Sequence, residues 1–340
     1  GEAFTRKDMS PANKEQISTL LNGVWDSYLT DVGAQRGLDK TRLKAIADGL
    51  LVRSANDALS TGLLDSLVYR DQVLAALKAK MDLTSDKDIP FVDLDDYTKA
   101  YVAKAKPEGE AGETSGWKLP KVAVVYASGD ISGGEGTDET IGSTTLAKAI
   151  RDARTDSTVK AIVLRVNSPG ASGLASDIIW REVELAKQVK PVVVSMGDVA
   201  ASGGYYISCA ASKIFAEPVT ITGSIGVFGM IPNMQGFFND KLGITFDGVQ
   251  TSPYAGMMTV NRPLTAEEKG IIQGYIDRFY ATFTGRVAEG RGLTVAQVDS
   301  IGQGRVWTGT DAKRIGLVDE IGGLEAATKA AATMADLGDG

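Results

Sequence analysis

The run Pro191-Val192-Val193-Val194-Ser195, followed by Met196-Gly197-Asp198-Val199-Ala200-Ala201-Ser202-Gly203-Gly204-Tyr205-Tyr206, constrains this chain more than any other stretch. Consecutive β-branched residues after a proline read as a buried strand of a parallel sheet. Tyr205 to Ala211 is small and apolar enough to open a helix. A strand, a glycine-rich turn and a helix in succession place Ser202 at the carboxyl end of the sheet. A hydroxyl there is available as a nucleophile, and the next N–H, that of Gly203, faces the position of an oxyanion. The flanking glycines let the backbone turn sharply and let a substrate carbonyl approach. The same turn also fits a helix start packed on a sheet, so by itself it leaves catalysis open.

Composition narrows the chemistry. The 340 residues include no histidine and one cysteine. A Ser-His-Asp triad is thereby excluded, and lysine remains as the base for a serine nucleophile. Cys209 alone makes neither a metal site nor a Cys-His dyad, and reads as a small buried residue. No metal or other cofactor is expected. A net charge of −7 argues against nucleic acid as a partner and against a polybasic membrane patch. No apolar run approaches the roughly 18–20 residues of a transmembrane helix.

Residues from about 10 to 80 read as helices. Ser10-Pro11 is a helix start, with Ser10 as N-cap. Ile17, Leu20, Leu21, Val24, Trp25 and Tyr28 follow as an apolar stripe at helical spacing. Thr41 to Leu51 and Asp71 to Met81 are shorter helices, with breaks at Gly37 and Gly62. Residues 84–119 are acidic and loop-prone and read as a linker, flexible over Glu108–Gly116. From Lys121 the character alternates: strand Val122–Tyr126, helix Thr144–Arg154, strand Ala161–Val166, helix Ala175–Gln188, strand Val192–Met196, strand Ile214–Ala216. That order implies a parallel, right-handed α/β layer with its site at the strand carboxyl ends. The expected organisation is a helical segment over 1–83, a linker over 84–119, an α/β domain over 120–262 and helices over 263–340.

The tail repeats the beginning. Ala12, Lys14 and Ile17 match Ala266, Glu268 and Ile271 at an offset of about 254. Arg36-Gly37-Leu38 matches Arg291-Gly292-Leu293, and Gly62-Leu63-Leu64-Asp65 matches Gly316-Leu317-Val318-Asp319. The second copy follows an α/β unit, so the first is expected to follow one as well, upstream of Gly1.

Two further loops follow strands. Asn167-Ser168-Pro169-Gly170-Ala171-Ser172 offers the N–H groups of Gly170 and Ala171 to complete an oxyanion hole with Gly203. Thr222-Gly223-Ser224-Ile225-Gly226 offers the Ser224 hydroxyl to orient a base; each loop also reads as an ordinary turn. In this order, Asn167-Ser168-Pro169-Gly170, Ala201-Ser202-Gly203-Gly204-Tyr205 and Thr222-Gly223-Ser224-Ile225-Gly226 resemble the signal peptide peptidase A (protease IV) family. The resemblance extends through Val306-Trp307-Thr308-Gly309 to essentially the whole chain.

It implies a Ser-Lys serine protease on the Clp-protease/crotonase-like α/β fold, with helical extensions on both sides. Ser202 is then the nucleophile, Gly203 with the Gly170/Ala171 loop the oxyanion hole, and Ser224 the hydroxyl holding the lysine amine. The family usually has a second glycine at the position of Ala171, so a positive φ there implies strain. In single-repeat members the lysine lies in the segment corresponding to Thr251–Met258, which here has none. In duplicated members it belongs to the amino-terminal repeat, and Glu2–Pro11 resembles the stretch directly after it. The base is therefore expected upstream of residue 1, and this chain alone is expected to be inactive. Lys7, Lys213 and Lys241 are the candidates within it.

The resemblance further implies hydrophobic peptides and remnant signal peptides as substrates, and a homo-oligomer, a tetramer in the family. It also implies a location at the bacterial inner membrane with the catalytic part facing outward, the anchor lying outside this chain. Phe228, Met230, Met257 and Met258 are candidates for an apolar groove. Two other readings share the fold. One is a crotonase-like acyl-CoA enzyme that uses the oxyanion hole without a nucleophile. The other is a self-associating scaffold repeat without catalysis.

Overall fold

The computed structural model describes residues 6–92, 119–137 and 139–337, so most of the linker expected over 84–119 lies outside the described residues. By packing, the chain divides into two units, Gly1–Ser115 with Ile231–Lys269, and Gly116–Met230 with Gly270–Gly340.

In the first unit, α1 (Pro11–Arg36) begins where the sequence places it. Ser10 is extended, its hydroxyl accepts the Asn13 N–H at 3.2 Å, and Pro11 occupies the first turn. The helix stops at Gly37, which takes the left-handed conformation that a side chain disfavours (φ 64°). Helices α2 (Lys40–Asp48), α3 (Ala55–Ser60) and α4 (Arg70–Met81) follow, the first two capped by the side chains of Asp39 and Ser54. Leu29, Leu43, Ile46 and Leu74 are buried. Of the six residues of the expected apolar stripe, however, four are exposed: Leu21, and more widely Leu20, Val24 and Tyr28 at 61%, 62% and 57%. The helical period is as read, but most of its face lies open.

The second unit is the α/β layer. Strands β1 (Lys121–Ser128), β5 (Val159–Ser168), β6 (Val192–Ala201), β7 (Lys213–Ala216) and β10 (Glu320–Ile321) lie side by side in that order, all parallel. Helices α5 (Ser143–Thr155) and α6 (Gly173–Lys187) contribute Leu146, Ile150, Ile179 and Val183 to the core on one face of the sheet. On the other face, α10 (Leu324–Met334) lays Ala327 and Ala331 against Ala161, Val163, Val193 and Phe215. Both sides of β5 and β6 are thus covered, which is why their residues are an apolar run rather than an alternation. Each fully buried Val, Ile or Leu there stabilises the fold by about 1.5–3 kcal/mol relative to exposure.

Strand β6 is longer than the sequence expectation, which ended it at Met196. Val193–Ser195 pair with β7, while Val199–Ala201 pair with a separate strand, β8 (Ile221–Gly223). Strand β9 (Val306–Thr308) then runs antiparallel to β8. This second pairing carries the backbone onward and delivers Ser202 at the far edge of the sheet. A small sheet of β2 (Asp130–Ser132), β3 (Gly136–Thr137) and β4 (Thr140–Gly142) lies beside it, bridged to the Gly170 loop through Ile131 and Ala171.

Candidate active site

Ser202 joins β6 directly to the short helix α7 (Gly203–Ser208). Its backbone is neither helical nor extended (φ 52°, ψ −117°), a conformation that costs about 1–3 kcal/mol in a residue with a side chain. The surroundings hold it there. The Ser202 N–H donates to the Gly223 carbonyl at 2.9 Å, and its own carbonyl accepts the Tyr206 N–H at 2.9 Å. Every residue of α7 is buried. The Tyr205 hydroxyl donates to the Leu317 carbonyl at 2.8 Å, and that of Tyr206 to Asp177 Oδ1 at 2.7 Å.

The Gly170 loop presses against this turn. A β-carbon on Gly170 would stand 2.4 Å from the Gly203 nitrogen, and one on Gly203 would stand 2.6 Å from Ser176 Oγ. Only glycine permits either approach. As the first residue of α7, Gly203 carries an N–H with no acceptor inside the helix. In the loop, the Gly170 N–H donates to Ser168 Oγ at 3.1 Å. Ala171 is bridged to β2: the Ile131 N–H donates to the Gly170 carbonyl at 2.7 Å and the Ser172 N–H to the Ile131 carbonyl at 3.0 Å. In such a bridge the N–H of Ala171 itself points away from β2, and it has no hydrogen-bond partner among the described residues. Of the three expected donors, those of Gly203 and Ala171 are therefore uncommitted, while that of Gly170 is engaged. Ala171 holds φ at 131°, a region that favours glycine, so its methyl is carried at the cost of strain.

Ser224 follows Gly223 in a second left-handed pair (φ 77° and 48°). Its N–H donates to the Arg305 carbonyl at 2.8 Å, and the Ile225 carbonyl accepts the Gly304 N–H at 2.8 Å. Ser202, Ser224, Gly170 and Ala171 all line one cavity of about 820 Å3, together with Asp130, Phe228, Tyr280, Gln303 and Gly304. The sequence reading missed Asp130, Tyr280, Gln303 and Gly304. The adjacent family-like Val306-Trp307-Thr308-Gly309 was the nearest signal to the last two.

Among the described residues lining the cavity there is no lysine; Asp130 and Tyr280 are its titratable side chains. Lys213 pairs with Val193 at the amino end of the sheet, nine residues of strand from Ser202, or roughly 30 Å. It lies 3.5 Å from Glu320. Lys7 and Lys241 belong to the other unit. So do Met257 and Met258, whereas Phe228 is in the cavity wall and Met230 is 84% exposed. Cys209 is buried, and burial pushes its thiol up to about 12, which leaves it unreactive as a nucleophile.

The chain is 41% identical to protease 4 of Salmonella typhi and 39% to protease 4 of Haemophilus influenzae, over 99% and 97% of its length. It is 34% identical to the chloroplastic serine protease SPPA of Arabidopsis thaliana over 99% of its length. It spans about half the length of these relatives, 53%, 53% and 49% respectively. No helix among the described residues is long and apolar enough to cross a membrane. The model of peptidase family S49 matches residues 1–84 and 184–338, and with a parallel α/β layer presenting a serine at its carboxyl edge, the chain belongs to that family of serine peptidases.

Proposed function

We propose that this chain carries the nucleophilic half of a Ser-Lys endopeptidase. Ser202 Oγ attacks the substrate carbonyl, and the oxyanion is received by the N–H groups of Gly203 and Ala171. Each such donor is worth roughly 10²–10³ in rate. The proton passes to a lysine amine oriented by the Ser224 hydroxyl, and the amine later returns it to the leaving nitrogen. The observation that carries this reading is the convergence on one cavity of Ser202, Ser224 and Ala171, all three at positive φ, with the Gly203 N–H next to Ser202 in the chain.

The lysine is supplied by an upstream repeat. Three observations support this: the absence of a lysine from the described cavity lining, the coverage of half of each relative, and the internal duplication. Phe228, 89% exposed beside the cavity, suits hydrophobic peptides, including remnant signal peptides. The work takes place at the bacterial inner membrane, on its outward side, in a homo-oligomer that is a tetramer in the family. These three assignments rest on the family resemblance. The test is peptide hydrolysis by the longest natural form of the protein, with fluorophosphonate labelling. Ser202→Ala should abolish both, with turnover down by about 10⁶ and an unchanged circular dichroism spectrum. Retention of more than a few per cent of activity by a folded variant would assign the chemistry to another group.

A further inference from the structure

Ser224 stands at a strained turn, and what holds it there comes from a distant part of the chain. Its backbone partner, Arg305, lies in the turn Gly302–Arg305, itself left-handed at Gln303 and Gly304 (φ 56° and 76°). The two turns are tied to each other by those backbone bonds, and a hold from outside them is added by the hydroxyl of Tyr280, from α8 (Ala266–Arg291). It accepts the Gln303 N–H at 3.0 Å and donates to Asp299 Oδ1 at 2.8 Å. Asp299 lies in α9 (Val295–Ile301), directly before the turn. A β-carbon on Gly302 would stand 3.1 Å from this hydroxyl, so the turn is wrapped closely around it. Tyr280 also lines the cavity, so its ring faces the same space as the two serines.

We infer that Tyr280 is a positioning residue for the reaction: through Asp299 and the Gln303–Arg305 backbone, it sets the turn that aims Ser224 at the base. This rests on the role proposed above for Ser224. A side chain that only filled the cavity wall would need no hydroxyl. This hydroxyl uses its proton on the carboxylate and a lone pair on the turn, and burial together with Asp299 keeps that proton on by raising its pKa. It is an anchor rather than a proton donor to substrate.

The experiment is a double-mutant cycle in the longest natural form of the protein, read by kcat, KM and the rate of fluorophosphonate labelling of Ser202. Tyr280→Phe keeps the ring and should lower kcat and the labelling rate by about tenfold, part of the 10²–10⁴ that base positioning supplies, with KM within twofold. In a Ser224→Ala background the same change should cost little more, because the residue it acts through is already gone. Additive losses, or a loss confined to KM, would overturn the inference while leaving the role of Ser224 intact. A silent Ser224→Ala would overturn both. If Tyr280→Phe lowers the melting temperature by more than about 10 °C, Asp299→Asn carries the same cycle with a smaller single effect and the same non-additivity.

Discussion

The chain contains the same helical module twice, and the two copies differ in what lies over them. Both α1 and α8 are 26 residues long and end on an arginine followed by a left-handed glycine, φ 64° at Gly37 and 65° at Gly292. In the first copy Arg36 Nε donates to the Gly62 carbonyl at 3.0 Å, and its two terminal nitrogens reach Asp65 at 3.0 Å each. In the second, Arg291 Nε donates to the Gly316 carbonyl at 3.1 Å, and its terminal nitrogens reach Asp319 at 3.1 and 2.6 Å. The clamps are the same. Yet the Arg36 and Asp65 side chains are 28% and 86% exposed, against 8% and 32% for Arg291 and Asp319. Asp319 also accepts the Ile214 N–H of β7, and the neighbouring Leu317 carbonyl holds Tyr205 of α7. With the two helices aligned end to end, Arg36 on Arg291 and so at an offset of 255, Phe283 of the second copy is 1% exposed under Tyr206, while Tyr28 at the same place in the first is 57% exposed. The lesson is that local code alone builds the module, whereas its energetic weight comes from the α/β layer seated on it.

The sharpest test is to cover the open face of the first copy. On the proposal that an upstream repeat supplies the lysine, co-expression with that repeat should raise turnover by up to about 10⁶, the cost of removing one member of a catalytic dyad. In the same complex, hydrogen exchange along α1 should slow and Tyr28 should lose solvent access. Activity gained while α1 stays open would separate the base from the docking face and break the parallel between the copies.

Next in size is the pair Phe283→Ala and Tyr28→Ala. The first opens a cavity beneath α7 and should cost about 3–5 kcal/mol in chemical denaturation. The second removes an exposed ring, stacked on Trp25 at 5.5 Å, and should change stability by about 0.5 kcal/mol or less in this chain. Equal losses would mean that the two faces are equally packed in solution. The clamps themselves give a third contrast. Arg291→Ala removes a buried guanidinium and leaves a half-buried Asp319 without its fork, and should cost about 3 kcal/mol. Arg36→Ala acts on an exposed pair and should leave the denaturation midpoint unmoved, since such pairs are often worth nothing measurable.

Much of this was legible because it is local. Ser10-Pro11, Gly37 and Gly292 act through the residues next to them, and the helix boundaries follow. The sequence marked Ser202, Ser224 and Ala171 because strand, turn and helix signals succeed one another over a few positions. The strain foreseen at Ala171 rests on a missing glycine and is present in its φ of 131°. What could not be read depends on distant partners. The extension of β6 to Ala201 needs β8, and the small β2–β4 sheet is made of strands of two or three residues, too short for any period to register. Tyr280 and Gln303 reach the cavity from helices and turns 50 to 100 residues downstream, which no spacing rule connects to Ser224. The apolar stripe of α1 was read correctly as a period, but a period does not say whether anything covers it.

The smallest expected difference lies at the first turns of α1 and α8. Thr265 Oγ1 accepts the Glu268 N–H at 3.1 Å, and Glu268 Oε2 accepts the Thr265 N–H at 2.8 Å, so each residue satisfies the other's backbone. Arg262 closes on the same carboxylate with contacts of 2.7 and 2.8 Å. With the helix starts aligned, Pro11 on Ala266 and so one residue on from the offset of 254, Ser10 plays the part of Thr265, but Asn13 stands where Glu268 would be. The Arg262 fork and the Thr265 N–H hold the Glu268 carboxyl down at about 2, against an ordinary value of 4.5. A carboxylate depressed in this way stabilises the fold fully above pH 4.5 and loses that contribution as the pH falls through about 2. The first turn of α8 should therefore loosen in acid, while that of α1 should not through this group. Hydrogen exchange followed from pH 6 to pH 2, corrected for intrinsic rates, should show protection falling over residues 266–269 and not over residues 12–14. Glu268→Gln should flatten the α8 response, and Asn13→Glu should install a weaker one at α1. A response at α8 that survives Glu268→Gln would assign the acid sensitivity to another group and erase this last difference between the copies.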